Sequence, residues 1–206
     1  MSNKDDGHHH HLREQESYYA ARTKALESLF REKNLIGQDT VDRVIGFFET
    51  EMGPFNGAKV VAKAWVDPDF KARLLEDCNA AIAELGIRDG IEGENLMAVE
   101  ATKSVHHIVT CTLCSCWPWP LLGLPPYWFK DPAFRARIVR EPREVLQEFD
   151  VKLDPSTKIE IWDSSAQVRF FVVPVRPEGT EGWSEEKLAD LISTEAMQGL
   201  GLVHAN

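Results

Sequence analysis

From Tyr18 to Leu85 apolar positions recur every three to four residues, and beyond them they give way to short β-prone runs. The pattern predicts helical structure first and mixed structure afterwards. Tyr18, Ala21, Ala25, Leu26, Leu29 and Phe30 define an amphipathic helix over residues 18–33. Asp39 or Thr40 caps a second helix, which runs through Phe47, Phe48 and Met52 to a stop at Gly53-Pro54. A short third helix covers residues 58–65. Asp67-Pro68 then supplies an N-cap with proline at the first helical position, and Phe70, Leu74, Leu75, Cys78, Ile82 and Leu85 continue one apolar stripe to Gly86. Cys78 on that stripe reads as a small core hydrophobe rather than a ligand.

Beyond the glycine-rich link at residues 89–93, residues 96–99 and 106–110 read as strands, the second leading straight into a cysteine cluster. Residues 117–127 hold Pro118, Pro120, Pro125 and Pro126 and read as an irregular loop. Asp131-Pro132 and Glu141-Pro142 each open a helix. Residues 158–162 and 168–173 alternate like the strands of a hairpin around Asp163-Ser164-Ser165, across which Asp163 and Arg169 are able to pair. Ser184 caps a last helix. The expected fold class is α+β, with a polar, disordered tail over residues 1–16 that holds His8, His9, His10 and His11, a helical arm over residues 17–88, and a mixed domain over residues 89–206.

With 206 residues, 43% of them hydrophobic, the chain can bury a sizeable core. Its 23 Lys and Arg against 33 Asp and Glu leave a net charge of -10, which repels phosphate backbones and anionic lipid surfaces, so neither nucleic acid nor membrane is expected as a partner. No run approaches the roughly 20 apolar residues that span a bilayer, and no apolar signal segment opens the chain, which makes the cytoplasm the expected compartment.

The chemistry concentrates in Cys111, Cys114 and Cys116, three of the four cysteines within six residues. Thiolates are soft ligands, and a Cys-x-x-Cys-x-Cys loop can wrap three of them around one metal ion. A fourth side-chain ligand would have to be Cys78, His106 or His107, and none completes a familiar zinc or iron-sulfur pattern. His106 and His107 point to opposite faces of a strand, so at most one can look toward the loop. A reversible zinc or redox-sensing module is the alternative of a different class.

The run Val109-Thr110-Cys111-Thr112-Leu113-Cys114-Ser115-Cys116-Trp117-Pro118-Trp119-Pro120, followed by Leu122-Gly123-Leu124-Pro125-Pro126-Tyr127-Trp128-Phe129-Lys130, resembles the α subunit of nitrile hydratase. So do Phe134-Arg135-Ala136-Arg137, Arg140-Glu141-Pro142-Arg143, Trp162-Asp163-Ser164-Ser165-Ala166, the stretch from Arg176 to Trp183 and, upstream, residues 56–65. The resemblance implies a layered α-β-β-α domain and hydration of organic nitriles to amides at one trivalent metal ion. It also implies that Cys111, Cys114 and Cys116 supply three sulfurs and that Ser115 and Cys116 supply two backbone amide nitrogens. By position, Cys114 would be oxidised to a sulfinate and Cys116 to a sulfenate, and Cys114, Ser115 and Cys116 would border the reacting position.

Thr112 resembles the cobalt type of the family, whereas Trp117 departs from both metal types; cobalt(III) is favoured and iron(III) is the alternative. The metal-bearing subunit of thiocyanate hydrolase shares the hexad but tends to carry a basic residue where this chain has Trp119, and a neutral indole suits a neutral substrate. In the family the arginines that hold the oxidised cysteines come from a β subunit. Arg135, Arg137, Arg140 and Arg143 therefore read as stabilising the fold or that interface, and an αβ heterodimer or its α2β2 doubling is the implied assembly.

Overall fold

A computed structural model describes residues 5–88, 93–114 and 116–205, with side chains from Tyr18 onward. The chain divides into two compact units, Met1–Gly46 and Phe47–Asn206. The first holds α1 (Asp5–Glu32) and the start of α2 (Thr40–Thr50). Helix α1 begins upstream of the histidine run, inside the segment whose composition predicts disorder; once a helix is nucleated, each added residue costs little.

The second unit holds α3 (Pro54–Val66), α4 (Pro68–Glu76) and α5 (Cys78–Glu84). These three helices, which periodicity assigns to the arm, instead belong to the main core, with Val60, Val61, Phe70, Leu74 and Ile82 fully buried. The single helix predicted from Pro68 to Leu85 is also divided. Asp77 is extended at φ -141° and accepts from the Ala80 amide at 3.0 Å, which caps a new helix. Asn79 then ties α5 to the sheet, donating to the Glu94 carbonyl at 2.6 Å and accepting from the Leu96 amide at 2.8 Å. Cys78 is buried as expected, and burial pushes its thiol pKa up to about 12.

Four strands follow the expected boundaries: β1 (Leu96–Glu100), β2 (Val105–Thr110), β3 (Lys158–Asp163) and β4 (Arg169–Val173). Their pairing does not follow the predicted hairpin. β1 pairs with β4 and β2 pairs with β3, both in parallel, so β3 and β4 lie in different ladders. The segment between them turns away from the β3 ladder as the Ser164 amide donates to the Thr110 carbonyl at 2.7 Å and the Ser164 hydroxyl accepts from the Phe170 amide at 3.2 Å. Asp163 and Arg169 consequently do not pair, and Arg169 lies 3.9 Å from Glu94.

Alternation along the strands sets the layers. Leu96, Ala98, Phe171 and Val173 face the core of α3, α4 and α5. Val99, Phe170 and Val172 face the other way, onto Val109 and Trp162 of the second ladder. The far side of that ladder, with Ile108, Ile159 and Ile161, packs on Ile138 of α7 (Pro132–Arg140) and on Val145 and Leu146 of α8 (Pro142–Glu148). The order is helix, ladder, ladder, helix, which matches the implied α-β-β-α layering.

Within the proline-rich segment expected to be irregular, α6 (Trp119–Leu122) forms one turn and residues Tyr127–Lys130 form a 3-10 turn. Pro120 is tolerated there because the first turn of a helix has no intrahelical use for its amide. α9 (Glu185–Ala189) starts at the Ser184 cap, and α10 (Thr194–Gln198) ends at Gly199 with φ 82°. A Cβ at Gly199 would overlap the His107 carbonyl oxygen, whereas one at Gly86, also at positive φ, meets open space. Gly199→Ala is therefore expected to lower unfolding free energy by at least about 2 kcal/mol more than Gly86→Ala, measured by chemical denaturation; equal costs would contradict the close seating of α10 on β2.

Candidate metal centre

β2 and β3 run in the same direction with Thr110 and Asp163 in register, so both strands end at one place. The cysteine loop starts there, at Cys111. Its first turn is clamped from β3: the Thr112 amide donates to Asp163 Oδ1 at 2.8 Å and the Thr112 hydroxyl to Oδ2 at 2.5 Å. On the other side α7 presents Arg135, whose Nη1 donates to the Cys114 backbone carbonyl. Downstream, Trp117 is fully buried, with its ring centroid 4.6 Å from that of Phe129 in an edge contact. Asn56 of α3 bridges the Glu51 and Pro120 carbonyls at 2.9 and 3.0 Å, holding the exit of the loop.

These braces gather the three sulfurs. Cys111 Sγ lies 3.2 Å from Cys114 Sγ, which lies 3.1 Å from Cys116 Sγ, and all three fall within 4.8 Å of one another. Such separations are far beyond the roughly 2.05 Å of a disulfide, so no disulfide links the three cysteines. The Cys114 amide also donates to Cys111 Sγ at 3.3 Å. Cys111 is fully buried, Cys116 is half-buried and Cys114 is exposed, while Leu113 at the tip of the loop is 88% exposed.

Burial first, and then the neighbouring Cys114 and Cys111 thiols, push the Cys116 pKa up to about 12. A cation at the centre of the cluster reverses that preference, because its charge stabilises all three thiolates at once. The cluster is chemically suited to one metal ion. Ser115, the remaining predicted site residue, lies outside the described residues.

The other candidates for a fourth ligand point elsewhere. His106 Nε2 is 2.7 Å from the Gly199 carbonyl, and His107 Nδ1 accepts from Trp162 Nε1 at 3.0 Å, on opposite faces of β2 as strand geometry requires. Burial holds both imidazole pKa values below the ordinary range. Arg137 is engaged by Glu148 and Glu141, and Arg143 by the carbonyls of Asp154, Pro155 and Thr157, so both stabilise the fold as expected. The Thr112–Asp163 clamp and the Arg135 contact are the site features that sequence reasoning missed. The clamp would have been visible had β2 and β3 been paired in parallel, since ligand sites collect at the carboxyl ends of parallel strands.

An α+β protein with a three-thiolate metal loop at the end of a parallel strand pair is the class these features define. The chain belongs to the nitrile hydratase α-chain family: the family model described as nitrile hydratase, alpha chain, matches residues 17–201. It is 58% identical over 185 residues to a nitrile hydratase subunit alpha from Rhodococcus sp, covering 89% of this chain and 92% of that one. It is 55% identical over 181 residues to a cobalt-containing nitrile hydratase subunit alpha from Pseudonocardia thermophila, covering 87% and 88%. Among solved structures, a double mutant of an Fe-type nitrile hydratase from Comamonas testosteroni Ni1 shares 39% identity and a TM-score of 0.84 over 92% of each chain.

The clamp predicts a coupling. Thr112→Val and Asp163→Ala should each destabilise the chain, and a double-mutant cycle by chemical denaturation should give an interaction of about 1 kcal/mol; additive effects would contradict the clamp.

Proposed function

We propose that this chain is the metal-bearing subunit of a nitrile hydratase, in which Cys111, Cys114 and Cys116 hold one trivalent ion together with the backbone nitrogens of Ser115 and Cys116. The sulfur spacing is the observation that carries this reading. A tetrahedral zinc site, with zinc–sulfur distances of about 2.3 Å, would spread its sulfurs to about 3.8 Å. The Cys111–Cys114 and Cys114–Cys116 separations of 3.2 and 3.1 Å are tighter than that, which supports the claw over the zinc module. Ser115 enters through the family resemblance, its nitrogen as a ligand and its hydroxyl as a donor beside the reacting position.

Exposure supports the assignment of the oxidised cysteines. Oxygen reaches accessible thiolates, and Cys114 and Cys116 are accessible while Cys111 is sealed. A trivalent ion bound here supplies Lewis acidity toward a nitrile or a water. One water adds across the carbon-nitrogen triple bond to give the amide, with no net electron transfer. In this chain Cys111 anchors the loop in the core, and Cys114 and Cys116 face the side from which substrate arrives.

Cobalt is the favoured ion, on Thr112 and on the cobalt-containing relative, with iron the alternative. Trp119 packs on Phe48 with ring centroids 5.4 Å apart, leaving a neutral surface that suits a nitrile better than thiocyanate. The exposed tip at Leu113 and the uncovered Tyr18, Tyr19, Leu26, Leu29 and Phe30 of the first unit fit a subunit that is completed by a β partner. Among the described residues no helix is long and apolar enough to cross a membrane, and the cytoplasm remains the proposed compartment.

Peptide mass spectrometry of the chain purified with its partner tests the reading. The expected result is two added oxygens on Cys114, one on Cys116 and none on Cys111, with nitrile hydration by the complex exceeding thiocyanate hydrolysis. Unmodified thiols with bound zinc and no hydration would overturn it.

A further inference from the structure

The Cys114 carbonyl that Arg135 holds belongs to the peptide in the middle of the sulfur triad. We propose that Arg135 is a positioning residue for the metal loop: its guanidinium fixes the orientation of that peptide and sets positive charge beside the three thiolates. The inference rests on the proposed claw, and it assigns to this chain a cationic brace for which the family resemblance looks to the partner subunit.

The support for Arg135 is rigid. Asp131 caps α7 through the Ala133 amide at 2.9 Å, and Pro132 occupies the first turn. Phe134, next to Arg135, packs against Trp128 with ring centroids 4.9 Å apart, and Ile138, three residues on, is fully buried. The side chain therefore leaves a fixed helix and reaches the loop from outside. Its planar fork makes a directional, charge-assisted bond to the carbonyl, which a mobile ammonium reproduces only in part. A peptide is planar, so a group that holds its oxygen restricts how the whole peptide can turn.

Two further observations set Arg135 apart from its neighbours. Arg137 and Arg143 are taken up by carboxylates and carbonyls away from the cysteines. Arg135 Nε is buried with no acceptor among the described residues, leaving one donor of the same guanidinium unsatisfied close to the loop. The guanidinium also borders a recess of about 340 Å³ lined by Thr112, Pro132, Ala136, Val139 and Arg140, so truncation there does not collapse a packed core.

The test uses the complex with its partner subunit and compares wild type, Arg135→Gln, Arg135→Lys and Arg137→Gln. The readouts are metal bound per chain at limiting metal, the thiolate-to-metal absorption band, and kcat and KM. Loading of Arg135→Gln should fall about 10- to 100-fold, the range for loss of a group that orients metal ligands. Its band should shift, and the loaded fraction should lose kcat with KM unchanged. Arg135→Lys should recover part of the loading, and Arg137→Gln should load like wild type. Wild-type loading and an unshifted band in Arg135→Gln would overturn the proposal. So would an equal loss in Arg137→Gln, which would trace the effect to the stability of α7. A wild-type complex that takes up no trivalent metal would instead overturn the claw on which the proposal rests.

Discussion

The parallel pairing of β2 with β3 is the constraint on which the rest of the site depends. It brings Thr110 and Asp163 side by side at the carboxyl ends of two strands that lie about fifty residues apart in sequence. With Asp163 in that place, the amide and hydroxyl of Thr112 have a fixed carboxylate to meet, and the chain must turn immediately after Cys111. An antiparallel pairing would send one of these ends to the opposite edge of the sheet. The sulfur cluster is therefore a product of strand direction as much as of cysteine spacing. The layers on either side keep the pairing in place, because Ile108, Ile159 and Ile161 are committed to α7 and α8 while Val109 and Trp162 face the other ladder.

Local signals in the chain are strong where one residue decides one structural event. Asp67, Asp131 and Ser184 each accept a backbone amide at the start of the helix they were expected to cap. The cysteine hexad is legible for the same reason, since six consecutive residues hold the spacing. Signals failed where the outcome depends on partners distant in sequence. Asp163-Ser164-Ser165 has turn chemistry, yet β3 and β4 find their partners in β2 and β1, because each ladder buries two apolar faces that a lone hairpin would leave wet. The apolar stripe from Phe70 to Leu85 is continuous, and only the bond from Asn79 to the edge of β1 explains why Asp77 divides the helix. Arg135 was hidden among four arginines of similar spacing, and only the approach of α7 to the loop distinguishes it.

Membership of the nitrile hydratase α-chain family and the three-sulfur cluster meet in one physical picture. Cys111 is sealed in the core, Cys116 is half-buried against it and Cys114 is exposed, all on one braced loop. In the proposed function, this arrangement would give a metal a rigid attachment on one side and leave its other side open to a substrate and to a second subunit. The first unit, with its apolar residues on the surface, fits the same conclusion that the chain works within an assembly.

X-ray absorption at the metal edge of the purified complex tests the central claim most directly, because it counts the atoms bound to the metal without relying on turnover. A six-coordinate trivalent cobalt or iron with three sulfur neighbours and the remainder nitrogen or oxygen is the predicted result. A four-coordinate divalent zinc with three or four sulfurs would contradict the account.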